Sequence, residues 1–79
     1  MKKGIYKTSD VWLASFLLAS NLRLERADWE DGKLVFGFED EGNAEELIRD
    51  FMNDIATVQA KRFVEAFRNL KSLIYTKAK

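Results

Sequence analysis

A chain of 79 residues is the size of one domain, and with 47% hydrophobic residues and ten aromatic rings it can bury a core. It has no cysteine and no histidine, which excludes disulfides, thiolate metal sites and the usual general base. The formal net charge is zero but segregated. Residues 1–21 carry a net +2, residues 22–54 hold four basic against eleven acidic side chains, and residues 55–79 hold six basic against one acidic; opposite blocks of this kind attract each other or a charged partner.

Along the chain, the first question is Val11–Ser20, VWLASFLLAS. It stands behind the basic start MKK in the layout of a secretory signal peptide. Three features predict a retained helix instead. Thr8-Ser9-Asp10 reads as a helix start, with Thr8 or Ser9 as cap and Asp10 at the positive end of the dipole. Leu17 and Leu18 stand where a cleavage site wants small residues. The apolar run is far shorter than the roughly 20 residues that span a bilayer. The expected helix runs from about Asp10 to Ala19 and stops at Ser20-Asn21, where Asn takes the left-handed cap conformation. Val11, Trp12, Leu13, Ala14, Phe16, Leu17 and Leu18 cover most of its circumference. Such a helix is central or lies at an interface. With the segment retained, a cytoplasmic protein without a membrane span is expected.

Asp31-Gly32 in WEDGKL predicts a two-residue type I′ turn between two strands. That register opposes Glu30 to Lys33, Trp29 to Leu34 and Ala27 to Phe36, which gives one apolar face. Leu22 and Leu24 would then fall on the polar face, so either a bulge is expected near Glu25–Arg26 or Leu22 lies in the turn. Gly37 in mid-strand predicts a bend or the close approach of another backbone. A second helix is expected to open at Asn43, with Glu46 completing a capping box. Ala44, Leu47, Ile48, Phe51, Met52 and Ile55 form its buried face, up to a break at Asn53-Asp54. A third helix is expected from Val58 to Tyr75 behind Thr57. Phe63, Ala66, Phe67, Leu70, Leu73 and Ile74 face inward, and Lys61, Arg62, Glu65, Arg68, Asn69 and Ser72 face outward. Residues 1–7 and 76–79 are expected to be less ordered. A hairpin is not stable alone. The architecture is therefore a single α+β domain of order α-β-β-α-α, with a two-stranded antiparallel hairpin packed on three helices.

The segments TSDVWLASFLLA, LVFGFED and FVEAFRNLKSLIY, in this order and spacing, resemble a family of small prokaryotic and phage domains of unknown function. The resemblance runs from about Tyr6 to Tyr75. It implies a retained first helix and an intracellular location, and it assigns no activity to any residue.

Four groups bear on function. Glu39, Asp40, Glu41, Glu45 and Glu46 are acidic enough to attract a divalent cation, but their spacing is not that of a calcium loop. They suit the N-terminus of a helix, and no metal is expected. Lys61, Arg62 and Arg68, with Lys77 and Lys79 beyond, form the footprint of a nucleic-acid surface, interrupted by Glu65 and offset by the neutral total charge. Lys71 lies at the edge of the apolar stripe, in reach of Glu46, Asp50 or a ligand, or with its stem along the core. Trp12, Phe16 and Trp29 are candidate anchors at a partner surface. No catalytic set and no cofactor motif is present. The expected function is a non-enzymatic protein-interaction or self-associating module, with a protein partner or a second copy in a homodimer. The alternative is a small nucleic-acid-binding protein that uses the basic face of the last helix.

Overall fold

A computed structural model describes residues 4–77. In chain order these form strand β1 (Gly4–Thr8), helix α1 (Val11–Ala19), strands β2 (Leu24–Glu30) and β3 (Lys33–Asp40), and helices α2 (Ala44–Met52) and α3 (Ala60–Lys77). The class is α+β with three helices, as the sequence predicts. The sheet is not the expected two-stranded hairpin. It has three antiparallel strands in the order β1-β3-β2, so the chain runs β-α-β-β-α-α. The residues expected to be a loose lead-in are strand from Gly4 onward, and α3 continues through Lys77. The remainder of that expectation, residues 1–3 and 78–79, lies outside the described residues.

β1 exists because Ile5, Tyr6, Lys7 and Thr8 alternate between faces and complete the free edge of β3. Tyr6 and Thr8 oppose Phe38 and Phe36 on the core side, and Ile5 and Lys7 oppose Glu39 and Gly37 on the outer side. The hairpin has the expected register, Glu30 to Lys33 through Ala27 to Phe36. Asp31 and Gly32 both have positive φ, 54° and 80°, as a type I′ turn requires. The bulge is where the apolar pattern calls for it. The register shifts between Leu24 and Arg26, which turns Leu24 to face Phe38. Over Gly37 it is side chains, not a backbone, that come close. A Cβ there would stand 2.9 Å from Arg26 Cγ and 3.3 Å from Ile5 Cγ2. The neighbouring strands fold these two side chains over the gap.

α1 starts at Asp10 rather than at Thr8 or Ser9. The Asp10 carboxylate accepts from the backbone N–H of Trp12 and Leu13, at 2.9 and 3.2 Å, while the Thr8 hydroxyl accepts from Asp10 N–H. It ends in a Schellman motif. Asn21 has φ 75°, its N–H bonds Leu18 O, and Leu22 N–H bonds Leu17 O, both at 3.1 Å. Leu13, Ala14, Ser15, Phe16, Leu17 and Ala19 are buried. The Ser15 hydroxyl donates to Val11 O at 2.7 Å, so its burial leaves no polar group unpaired. Of the two roles open to an all-round apolar helix, α1 fills the central one. It packs on α3, α2 and β1 and meets Phe36, Phe38, Leu34 and Leu70 in one core.

α2 is capped from farther upstream than expected. Asn43 makes no side-chain cap bond, and Asp40 Oδ1 accepts from Gly42 N–H at 2.8 Å and Ala44 N–H at 3.2 Å. The break at Asn53-Asp54 is a second Schellman motif, with Asp54 at φ 60° and Ile55 N–H bonded to Asp50 O at 3.0 Å. Because the helix stops there, Met52 and Ile55 leave the buried face and are 73% and 66% exposed. α3 begins at Ala60, two residues after the expected start, with Gln59 O receiving Phe63 N–H. Its inward face is the expected one. Ala66 and Leu70 are buried, and Phe63, Phe67, Leu73 and Ile74 are half-buried around them.

On the outer face of the sheet, Arg26 Nε donates to Asp28 Oδ2 at 2.8 Å. That bond, together with the guanidinium charge, holds the Asp28 carboxyl below the ordinary aspartate range.

Two predictions follow from these contacts. Asp40→Ala will destabilise the domain in urea unfolding by about 1 kcal/mol as the true cap of α2, while Asn43→Ala will cost measurably less. In a carboxyl NMR titration the midpoint of Asp28 will fall below the ordinary aspartate value and return toward it in Arg26→Ala. A carboxylate with a depressed folded-state value stabilises the fold above its unfolded value. This contribution is therefore lost as pH falls through the depressed one.

Candidate functional site

The exposed aromatic surface of the molecule gathers along one flank of α3. At 3.6 residues per turn, Phe63, Phe67, Lys71 and Tyr75 form a single column, each one turn beyond the last. Trp12, at the start of α1, lies flat against the upper part of this column. Its ring is parallel to Phe67 within 5°, with centroids 4.7 Å apart, and to Phe63 within 7° at 6.2 Å. These are offset stacks of the kind that aromatic quadrupoles favour. With both stacks in place, Trp12 as a residue remains 53% exposed.

Lys71 extends the column downward. Its ammonium stands 5.9 Å from the ring centroids of both Phe67 and Tyr75, the outer range of a cation–π contact. It thus sits between two aromatics and is not paired with Glu46 or Asp50. Tyr75 closes the strip and is 67% exposed. Lys61, Val64 and Arg68 run beside the column on its solvent side, at three- and four-residue spacing. All three are exposed.

The other anchors and cations divide. Phe16 is not a surface residue. It is buried in the core with its ring 5.3 Å from Phe51. Trp29 is half-exposed at the rim of the sheet's core face, and its indole N–H donates to Lys77 O, so it fastens the end of α3 to the hairpin. Arg62 is separated from Lys61 by roughly 100° of helix rotation. It bonds Asn21 Oδ1 at the end of α1 and lines a cleft of about 190 Å³ with Leu18, Ala19, Glu65, Ala66 and Asn69. The basic set read from the sequence is therefore two sets: Lys61 and Arg68 on the aromatic flank, and Arg62 on the other. Lys79 lies outside the described residues. Lys71 joins the first set, a role its i+4 spacing from Phe67 and to Tyr75 signals in the sequence.

The ion pairs matter most for what this surface can do. Those between described residues include Lys7–Glu30, Arg23–Glu25, Arg26–Asp28 and Arg49–Glu45, on the sheet, just before β2, or on α2. Among the described residues no basic side chain of α3 has a carboxylate partner within 4.0 Å. The acidic block does not neutralise the basic block. Its own members serve locally, Asp40 as a cap and Glu45 in the pair with Arg49. Among the described residues no three carboxylates converge as a metal site would need. A second hollow, of about 380 Å³, lies between Tyr6, Asp40, Ala44, Glu45 and Ile48, where β1 meets α2.

A family model described as a domain of unknown function, DUF5659, matches residues 3–76, and the chain belongs to that family. Comparison with curated proteins gives no match, and comparison with solved structures gives none either. Among the described residues no helix is long and apolar enough to cross a membrane.

The difference between the buried and exposed aromatics is measurable. Phe16→Ala will cost about 3–5 kcal/mol in urea unfolding, as a core truncation does. Trp12→Ala will cost about 1–2 kcal/mol, because it forfeits the ring stacking and half a residue's burial. Equal losses would mark Trp12 as a core residue and dissolve the site.

Proposed function

We propose that this DUF5659 domain is a non-enzymatic binding module that holds a negatively charged macromolecule on the strip formed by Trp12, Phe67, Lys71 and Tyr75, with Lys61 and Arg68 at its side. One observation carries the reading. An aromatic surface is left open to solvent while, among the described residues, the cations beside it have no carboxylate within 4.0 Å. Aromatic and basic side chains together are what contact hot spots are made of. The chain's lack of histidine and cysteine supports a binding role over a catalytic one. We take the module to act in the cytoplasm.

The charge of the strip decides among partners. A symmetric homodimer through it would set Lys61, Arg68 and Lys71 against the same residues of the second copy, since a two-fold interface is self-complementary. Like charges juxtaposed in this way cost several kcal/mol. Addition of a strand at a sheet edge is also opposed. β1 is only five residues long, and β2 carries a bulge and the charges Glu25, Arg26, Asp28 and Glu30. The favoured occupant is an anionic partner at the helical face.

The test uses Trp29→Phe, which leaves Trp12 as the sole indole, titrated with heparin, a polyanion without bases. The expected result is a saturable change in Trp12 emission at low salt, lost at high salt and weakened by Lys61→Gln with Arg68→Gln. An emission that stays flat across the titration overturns the reading.

A further inference from the structure

We infer that the macromolecule held on this strip is single-stranded nucleic acid, with a base stacked on the exposed part of Trp12 and phosphates lying along Lys61, Arg68 and Lys71. The inference rests on the binding-module reading above and names its partner.

The geometry of Trp12 selects for bases. Phe63 and Phe67 lie parallel to the indole within 7°, which fixes its plane, and Trp12 keeps 53% of its surface exposed. The group that gains most from such a plane is another flat π-system. Every nucleobase presents one, and base–aromatic stacking needs no particular sequence. The carboxylate side chains that make a protein surface acidic present none. The strip also gives an extended peptide nothing to pair with, because it is a helix face whose backbone N–H and C=O groups are already bonded within α3.

The cations fit a backbone that runs beside stacked bases. Lys61 and Arg68 are two helical turns apart on the same side, and Lys71 follows one turn later between the rings of Phe67 and Tyr75. Tyr75 offers a second exposed ring beyond Lys71, so rings and cations alternate along the strip. Glu65 is the one carboxylate on α3; it stands one turn after Lys61 and one turn before Arg68, pairs with neither within 4.0 Å, and lines the cleft with Arg62. A duplex keeps its bases stacked on each other and cannot offer one to Trp12, so the single strand is the form selected.

The experiment is fluorescence anisotropy of a labelled oligothymidylate of about twelve nucleotides, within the range that small single-strand-binding folds cover. Circular dichroism melts establish that each variant is folded. Binding is expected to be saturable at low salt. Trp12→Ala should weaken it roughly 5- to 150-fold, the worth of one stacked base, and Trp12→Phe should restore most of the loss. Lys61→Gln and Arg68→Gln should each lower the salt slope by about 0.7, the single-strand value per phosphate contact. Arg62→Gln, off the strip, should leave affinity and slope unchanged. Three results would overturn the inference: no oligonucleotide binding while heparin still docks, equal affinity for a duplex of the same length, or folded Trp12→Ala binding as tightly as the wild type. The first leaves the binding-module reading intact. If neither heparin nor the oligonucleotide docks, both fall.

Discussion

A short helix that is apolar on nearly every side imposes the plan of this molecule. α1 has nine residues, and six of them are buried. A surface helix buries a stripe about 100° wide; α1 has to be covered almost all round. A chain this small can do that only by committing every other element to the task. The sheet presents Phe36, Phe38 and Leu34, α3 presents Leu70 and Ala66, and α2 presents Ala44 and Phe51. The ends of α1 are fixed with matching economy. Asp10 satisfies two N–H groups at its start, and the Schellman motif at Asn21 satisfies carbonyls at its end and tucks Leu22 back into the core.

Covering α1 leaves a remainder, and the remainder is the candidate site. Trp12 lies at the first turn, where the helix emerges from under its neighbours, so its ring stacks on α3 and the residue stays 53% exposed. The helix that covers it, α3, runs for 18 residues, about 27 Å, while α1 is half that length. Packed on the core along one side, α3 leaves Lys61, Arg68, Lys71 and Tyr75 on its exposed side. Thus the feature that stabilises the fold, a long helix clamped across a short one, also exposes a ridge of rings and charges.

Much of this plan is written in the sequence where physics is local. The Asp31-Gly32 turn, the positive φ at Asn21 and the two helix breaks depend on a few adjacent residues, and they appear where residue type demands. The bulge beside Glu25 is legible because apolar periodicity shows when a strand has slipped by one residue. What escapes is pairing at a distance. GIYKT has too few residues to declare itself a strand, and only the edge of β3, thirty-odd residues later, makes it one. The same holds for the caps. Asn43 has the right type and position, yet Asp40 reaches across the turn and takes the role. Among site residues, Trp12 is legible because an apolar helix this short has more hydrophobic surface than a small fold can hide. Phe16 lies one turn farther along the same side of α1, where the neighbouring elements close over it, and that is a tertiary fact.

The charge pattern is the sharpest case of sequence and structure parting. An acidic middle and a basic end suggest neutralisation within the molecule, and total charge zero encourages that view. Among the described residues no ion pair within 4.0 Å joins the two blocks, although Lys77 reaches Asp28 electrostatically; Glu25, Asp28, Glu30 and Glu45 pair on the sheet side and on α2. α3 meets the rest of the domain through Ala66, Leu70 and their apolar neighbours; Arg62 bonds Asn21 and Lys77 lies near Asp28, while Lys61, Arg68 and Lys71 stay on the exposed side. At physiological salt, exposed charges farther apart than about 8 Å hardly act on each other. Lys61, Arg68 and Lys71, with Glu65 the one carboxylate a turn away, thus keep an excess of positive charge in their own neighbourhood whatever the sum over the chain. A partner that approaches it meets Lys61, Arg68 and Lys71 beside an open indole, not a neutral protein.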